Sequence, residues 1–309
     1  MDIDLVSRFR ACITAGAIGD AIGSFYENKT TIKENAIHIF GDIIEEETPT
    51  FKITDDTQAT LATIEAITKD EKCTPETISK QFLKYFNEQK ITGIGSSTLK
   101  ALTELQMGAH WSQVGRKGEF AAGNGAAMRI APFAFKTEID YQQIRDICRI
   151  THHNEEAYIG AKCIVIAIRE IIKGNFNNSK GLIEKVIHQI PDTLVRDRLI
   201  EIKSLKNITE IGKKGNDGYV VNSVPLAIAA ASKVEAIGLE NMFNLLIEIG
   251  GDTDTNCSIA GQIAGAIIGM KGIPKPLLNQ LTNLKEFKWI ENTINAFLKS
   301  EKSFKKIAP

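Results

Sequence analysis

Two short stretches of the chain concentrate oxygen ligands. Thr54, Asp55, Asp56 and Thr57 stand side by side, and residues 250–256 read Gly-Gly-Asp-Thr-Asp-Thr-Asn, with Asp252, Asp254 and Thr255 at their centre. Adjacent carboxylates repel one another unless a cation lies between them, and neither stretch contains a Lys or Arg that could supply the charge. Every donor atom on offer is a hard oxygen, which suits Mg²⁺ or Mn²⁺. Four carboxylates with two threonine hydroxyls exceed what one Mg²⁺ takes, because that ion keeps several waters, and they suit a pair of cations bridged by shared carboxylates. The same residue types also cap helices, and each stretch precedes a helical pattern, where free N–H groups and the dipole favour carboxylates. Spacing alone leaves both roles open.

Two further segments carry weaker signals. Residues 123–129, Gly-Asn-Gly-Ala-Ala-Met-Arg, present backbone N–H groups to which an anion such as a diphosphate can bind, although a glycine-rich turn also serves simply to turn. His152 and His153 follow Thr151 at the start of a helical pattern, where a histidine pair reads as a cap or surface element and is assigned no metal.

The elements that must position these groups are helical. Leu61, Ile64 and Ile67 after Thr54, and Ile164, Ile168, Ile171 and Ile172 after Thr151, recur at helix spacing. Residues 37–44 and 48–53 are the best strand candidates, and either serves equally as an extended connection. Gly16, Gly19 and Gly23 form one stripe without side chains, and Gly261, Gly265 and Gly269 form another. Glycine costs up to about 1 kcal/mol inside a helix, so the stripes predict central helices whose close approach offsets that cost.

Composition narrows the class. With 309 residues, 43% hydrophobic and 24% charged, the chain is long enough for one large core, and a net charge of -1 offers no long-range attraction to nucleic acid. The five cysteines are widely spaced and odd in number, which reads as packed thiols rather than disulfides. The start, MDIDLVSRFR, lacks the basic and apolar regions of a secretion signal, and the longest apolar candidate span, residues 259–269, is far short of the roughly 20 residues a bilayer needs. A cytoplasmic monomer without a membrane span is expected.

Taken in order, GDAIG at 19–23 with Glu27 just after, TDDT at 54–57, GIGSST at 93–98, GNGAAMRIAP at 123–132, THHNEEA at 151–157, GYVVNSVPLA at 218–227 and GGDTDTNCSIAGQIAGAIIG at 250–269 form one pattern. The chain thereby resembles the ADP-ribosylglycohydrolase family, of the dinitrogenase-reductase-activating glycohydrolase type, from about residue 10 to 275. The resemblance implies a compact all-α bundle, one domain over residues 1–309, with a two-metal cleft holding Mg²⁺ or Mn²⁺. It implies Thr54, Asp55, Asp56, Asp252, Asp254 and Thr255 as metal ligands, joined by Glu27 on a mobile loop. Glu27, Asp55, Asp56 and Asp254 are the candidates for catalysis. Gly95, Gly123, Asn124, Gly125, Met128 and His152 are the implied ADP-ribose contacts, with Arg129 bracing their segment and Asp20 supporting the site from behind.

The implied activity is removal of ADP-ribose from an ADP-ribosylated protein, first of all from arginine. Its alternatives are another linkage, to serine, threonine, asparagine or a nucleic-acid base, or a binding protein that neutralises a cognate ADP-ribosyltransferase. Three positions depart from the family pattern. Glu155 replaces a frequent proline, Cys257 a small residue, and residues 92–95 lack the acid that arginine-specific relatives carry there, with Glu88 the nearest.

Overall fold

The computed structural model describes residues 4–27, 51–174 and 179–300. In chain order its helices are α1 (Leu5–Tyr26), α2 (Asp55–Lys69), α3 (Pro75–Asn87), α4 (Ser96–Gln106), α5 (Tyr141–Arg149), α6 (Glu155–Ile172), α7 (Ser179–Ile187) and α8 (Leu194–Ile202). They continue as α9 (Ile208–Gly212), α10 (Val220–Ala231), α11 (Val234–Ile237), α12 (Leu239–Ile249), α13 (Thr253–Ile268), α14 (Lys275–Thr282) and α15 (Phe287–Ser300). The all-α expectation holds. Local chemistry sets many of the boundaries: Thr74 accepts from Thr77 N–H with Pro75 in the first turn of α3, and Asn154 accepts from Ala157 N–H at the start of α6.

Helices α1 and α13 lie against each other at the centre. α1 is buried from Phe9 to Ala21 almost without interruption, and α13 from Thr253 to Ile267. Their glycines make the approach possible. A methyl placed on Gly19 would sit 2.2 Å from the Cys257 carbonyl oxygen, on Gly23 2.3 Å from that of Thr253, and on Gly261 2.3 Å from that of Ala15. Real Cβ contacts are never so short, so only hydrogen fits. Gly269 is not part of the stripe: it ends α13 in the left-handed region, at φ 64°.

The strand candidates lie almost wholly outside the described residues. Residues 37–44 lie outside the described residues, as do 48–50, and 51–53 are irregular. The described strands are β1 (Arg116–Lys117) and β2 (His152–His153), a parallel pair that joins Arg116 to His152 and Lys117 to His153. The two histidines therefore belong to a strand, and α6 begins only after the Asn154 cap. All five cysteines are buried and unpaired, and burial pushes their thiols up. No helix among the described residues is long and apolar enough to cross a membrane.

Candidate metal centre and ligand cleft

The two acidic stretches meet. Asp55 and Asp56 open α2, Asp252 and Asp254 open α13, and the crossing of the central helices brings those starts together, so that Thr255 Oγ1 donates to Asp56 Oδ2 at 3.1 Å. Glu27 sits at the C-terminal end of α1, exposed, where its N–H donates to Gly23. One carboxylate oxygen each from Glu27, Asp252 and Asp254 lies within 4.8 Å of the others. Residues 28–30, the expected continuation of a mobile loop, are outside the described residues.

Capping does not account for the α2 acids, whereas at the start of α13 Asp254 accepts from Thr255 N–H at 2.7 Å. Neither Thr54 nor Asp252, the residues that precede α2 and α13, makes a side-chain capping bond. The free N–H groups of α2 are met from another helix: Asp20 of α1, completely buried, accepts from Thr54 N–H at 2.9 Å and from Thr57 N–H at 3.1 Å. It also accepts from Thr54 Oγ1 at 2.7 Å and from the Thr57 hydroxyl. With that role filled, Asp55 and Asp56 are available for something else. Asp56 Oδ1 is buried without any hydrogen-bond partner, a position that costs free energy unless a cation or proton meets it.

The electrostatics agree. Burial, then the charge of Asp20 and Asp254, holds Asp55 well above the ordinary carboxylate range, and burial together with Asp254, Asp20, Asp55 and Asp252 does the same to Asp56. Burial and Asp252 push Asp254 up to about 7, and burial raises Asp20 to about 6 despite its four hydroxyl and N–H donors. Glu27 is raised by partial burial and by Asp254. Several carboxylates that repel each other in one place are a site lacking positive charge. The threonines fit a cation as well. Thr54 gives its hydroxyl proton to Asp20 and Thr255 gives its own to Asp56, which leaves oxygen lone pairs as the remaining function of each.

Above the acids opens a cleft of about 800 Å³. Glu27, Asp55, Asp252, Asp254 and Thr255 form part of its floor, and Gly95, Gly123, Asn124, Gly125, Met128 and His152 also line it. Thr54 and Asp56 lie beneath, buried behind that lining. Gly95 precedes α4 and carries no neighbour where a side chain would be. Asn124 couples the glycine segment to the acids, because its side-chain amide donates to Asp252 Oδ2 at 2.6 Å. Its backbone N–H is already given to Gly218 at 3.0 Å, so that group is not available to an anion. The buried Arg129 braces the segment through the Gly125 carbonyl.

Sequence reasoning missed Tyr26 and Asp217, which also line the cleft. Asp217 lies in the loop before α10, where Tyr219 N–H and Asn222 Nδ2 donate to its Oδ1 at 3.1 and 2.9 Å. Its neighbour Gly218 was in the recognised pattern, but nothing in the spacing distinguished the aspartate from a loop solubiliser. Glu88, the acid nearest residues 92–95 in sequence, pairs instead with Lys90 at 2.7 Å and is absent from the cleft lining.

A bundle built around two glycine-faced helices thus sets acids from both helix starts beneath a cleft, as oxygen donors suited to a divalent cation. A sequence profile of the ADP-ribosylglycohydrolase family matches residues 1–305, and the chain belongs to that family, whose members hydrolyse the glycosidic bond of ADP-ribosyl groups. The chain is similar to ADP-ribosylhydrolase ARH3 of Danio rerio, 26% identical over 87% of this chain and 85% of that one. It is also similar to ADP-ribosylarginine hydrolase Tri1 of Serratia proteamaculans, 25% identical over 89% of this chain and 75% of that one. Among solved structures, an ADP-ribosylglycohydrolase-related protein complex superposes with a TM-score of 0.73 at 23% identity, covering 96% and 98% of the two chains.

Proposed function

We propose that this chain removes ADP-ribose from ADP-ribosylated protein, with arginine as the acceptor, using two divalent cations, Mg²⁺ or Mn²⁺, held by Thr54, Asp55, Asp56, Asp252, Asp254 and Thr255. The observation that carries the reading is the convergence of acids from two helix starts, where Asp20 fills the capping role on α2 and Asp56 Oδ1 is buried without a partner. Bound there, divalent cations would supply Lewis acidity for cleavage of the glycosidic bond.

The chain's own residues do the rest. Hydrolysis breaks the bond between the anomeric carbon and the acceptor atom through an oxocarbenium-like state, and water delivers its oxygen to the carbon and a proton to the acceptor. Asp55, Asp56 and Asp254 are the candidate carboxylates to take that proton and return it, with Glu27 as a rival. The Gly123–Gly125 segment and His152 hold the diphosphate-bearing part of the ligand. Arginine as acceptor is supported by the likeness to the ADP-ribosylarginine hydrolase, and by Asp217, an acid on the cleft wall suited to a guanidinium. The test is ADP-ribose release from peptides modified on arginine, serine and asparagine, each with Mg²⁺, with Mn²⁺ and with chelator. Release from the arginine peptide alone, abolished by chelator, is expected. Release from serine or asparagine but not arginine overturns the acceptor assignment.

A further inference from the structure

Behind the glycine segment runs a buried chain of polar groups. Arg129 is buried, its guanidinium lies over the Phe82 ring at 4.9 Å, and it donates through Nη1 to the Gly125 carbonyl and through Nη2 to Thr151 Oγ1 at 2.9 Å. Thr151 is fully buried, and its Oγ1 lies 2.7 Å from His152 Nδ1. The His152 ring is packed against the segment: a methyl on Gly123 would sit 3.0 Å from Nε2, and one on Gly125 3.0 Å from Cε1.

Hydrogen-bond accounting decides the direction of this chain. A guanidinium only donates and keeps its proton in proteins, so Thr151 Oγ1 accepts from Arg129. The Thr151 hydroxyl proton then needs an acceptor, and His152 Nδ1 is the group in reach. If Nδ1 carried a proton instead, two donors would converge on one oxygen and the hydroxyl proton would be left unpaired in the interior, a cost of about 1–3 kcal/mol. We infer that Arg129 and Thr151 are positioning residues that hold His152 as its Nε2–H tautomer, presenting a fixed hydrogen-bond donor in the cleft for an oxygen of the bound ligand. Nε2 has no acceptor among the described residues, and His152 lines the cleft, so its proton is available to a ligand. The ring stays neutral as well, since burial and the charges of Arg129 and Arg116 push it down to about 3. A phosphate oxygen of ADP-ribose is the acceptor this donor suits, and that identification rests on the function proposed above.

The test begins without ligand. In the full chain carrying ¹⁵N-labelled histidine, a long-range ¹H–¹⁵N correlation spectrum, with His152 identified by comparison with His152→Asn, reports which ring nitrogen carries the proton. Protonated Nε2 and bare Nδ1, unchanged between pH 6 and 8, are expected. Thr151→Val should let the Nδ1–H tautomer appear and weaken ADP-ribose binding by about tenfold or more, the scale of one hydrogen bond to a charged group. Thr151→Ser should restore both. An Nδ1–H tautomer or an imidazolium in the wild type overturns the inference, whether or not the valine variant folds. So does a valine variant that keeps both the Nε2–H tautomer and the affinity. The expected tautomer in a wild-type chain that does not bind ADP-ribose upholds the positioning and refutes the ADP-ribose reading.

Discussion

Replacing Gly265 by alanine tests the central helix pair at its tightest point. The added methyl would lie 2.1 Å from the Ala11 carbonyl oxygen, 2.5 Å from its carbon and 2.8 Å from Cys12 N. All three are backbone atoms of α1, so no side-chain rotation relieves the overlap. Comfortable contact is about 3.5 Å or more, so α13 must move away from α1 by roughly an ångström. That movement loosens the equally close approaches at Gly19, Gly23 and Gly261. Two effects oppose each other. Alanine gains about 1 kcal/mol over glycine in a helix interior, while overpacking costs about 1–3 kcal/mol and more where backbone must shift. Because the clash is with backbone and is shared along the whole interface, overpacking wins, with a net loss of about 1–3 kcal/mol. For a chain of this size each kcal/mol lowers Tm by about 1.5 °C, which differential scanning calorimetry resolves. An unchanged or raised Tm would show that helix propensity decides and that the two helices do not touch as described.

Charge and pH provide further tests. Asp20 and Asp254 have folded-state values of about 6 and about 7, above the ordinary aspartate range, so their contribution to stability is full at low pH and is lost as pH rises through 6 to 7. Cations that bind the deprotonated set should offset that loss, so the rise in Tm on adding Mg²⁺ should grow from pH 5 to pH 8; a rise that is independent of pH contradicts the sign. Asp56→Asn removes a buried charge while keeping its shape, and should leave the cation-free Tm unchanged or higher, abolish the Mg²⁺-dependent rise and slow ADP-ribose release by about 10²-fold or more. Release at the wild-type rate by the folded variant would remove Asp56 from the mechanism. Glu27→Ala should still bind cations through the remaining ligands, and ADP-ribose, yet hydrolyse poorly, because the exposed Glu27 carboxylate, within 4.8 Å of those of Asp252 and Asp254, is placed to position reacting groups. Calorimetric affinity measured beside single-turnover hydrolysis decides: parallel losses make Glu27 an ordinary ligand, and no change in either gives it no role.

The helices and the glycine stripes were legible because period and residue size are local properties. Gly16, Gly19 and Gly23 face α13 as their spacing predicts, whereas Gly269 fits the same four-residue interval but ends its helix in the left-handed region. Spacing along a sequence does not tell a stripe from a terminator. The acids were legible as a cluster but not as a function, since two aspartates at a helix start are what capping also produces. What separates the two roles is Asp20, more than thirty residues from the helix it caps. Asp217 was invisible because its place in the cleft comes from the loop before α10 meeting the start of α13, a long-range contact without a local signal. His152 was read as a possible cap at the head of a helix, and its strand pairing with Arg116 depends on a segment more than thirty residues away.

Where cations sit tests the metal centre most directly. Anomalous scattering from crystals grown with Mn²⁺ locates them directly and without reference to any substrate. Two peaks about 3.5–4 Å apart are expected in the space bounded by Thr54, Asp55 and Asp56 on one side and Asp252, Asp254 and Thr255 on the other. No peak there at saturating Mn²⁺, or a single ion held by histidine, would contradict it.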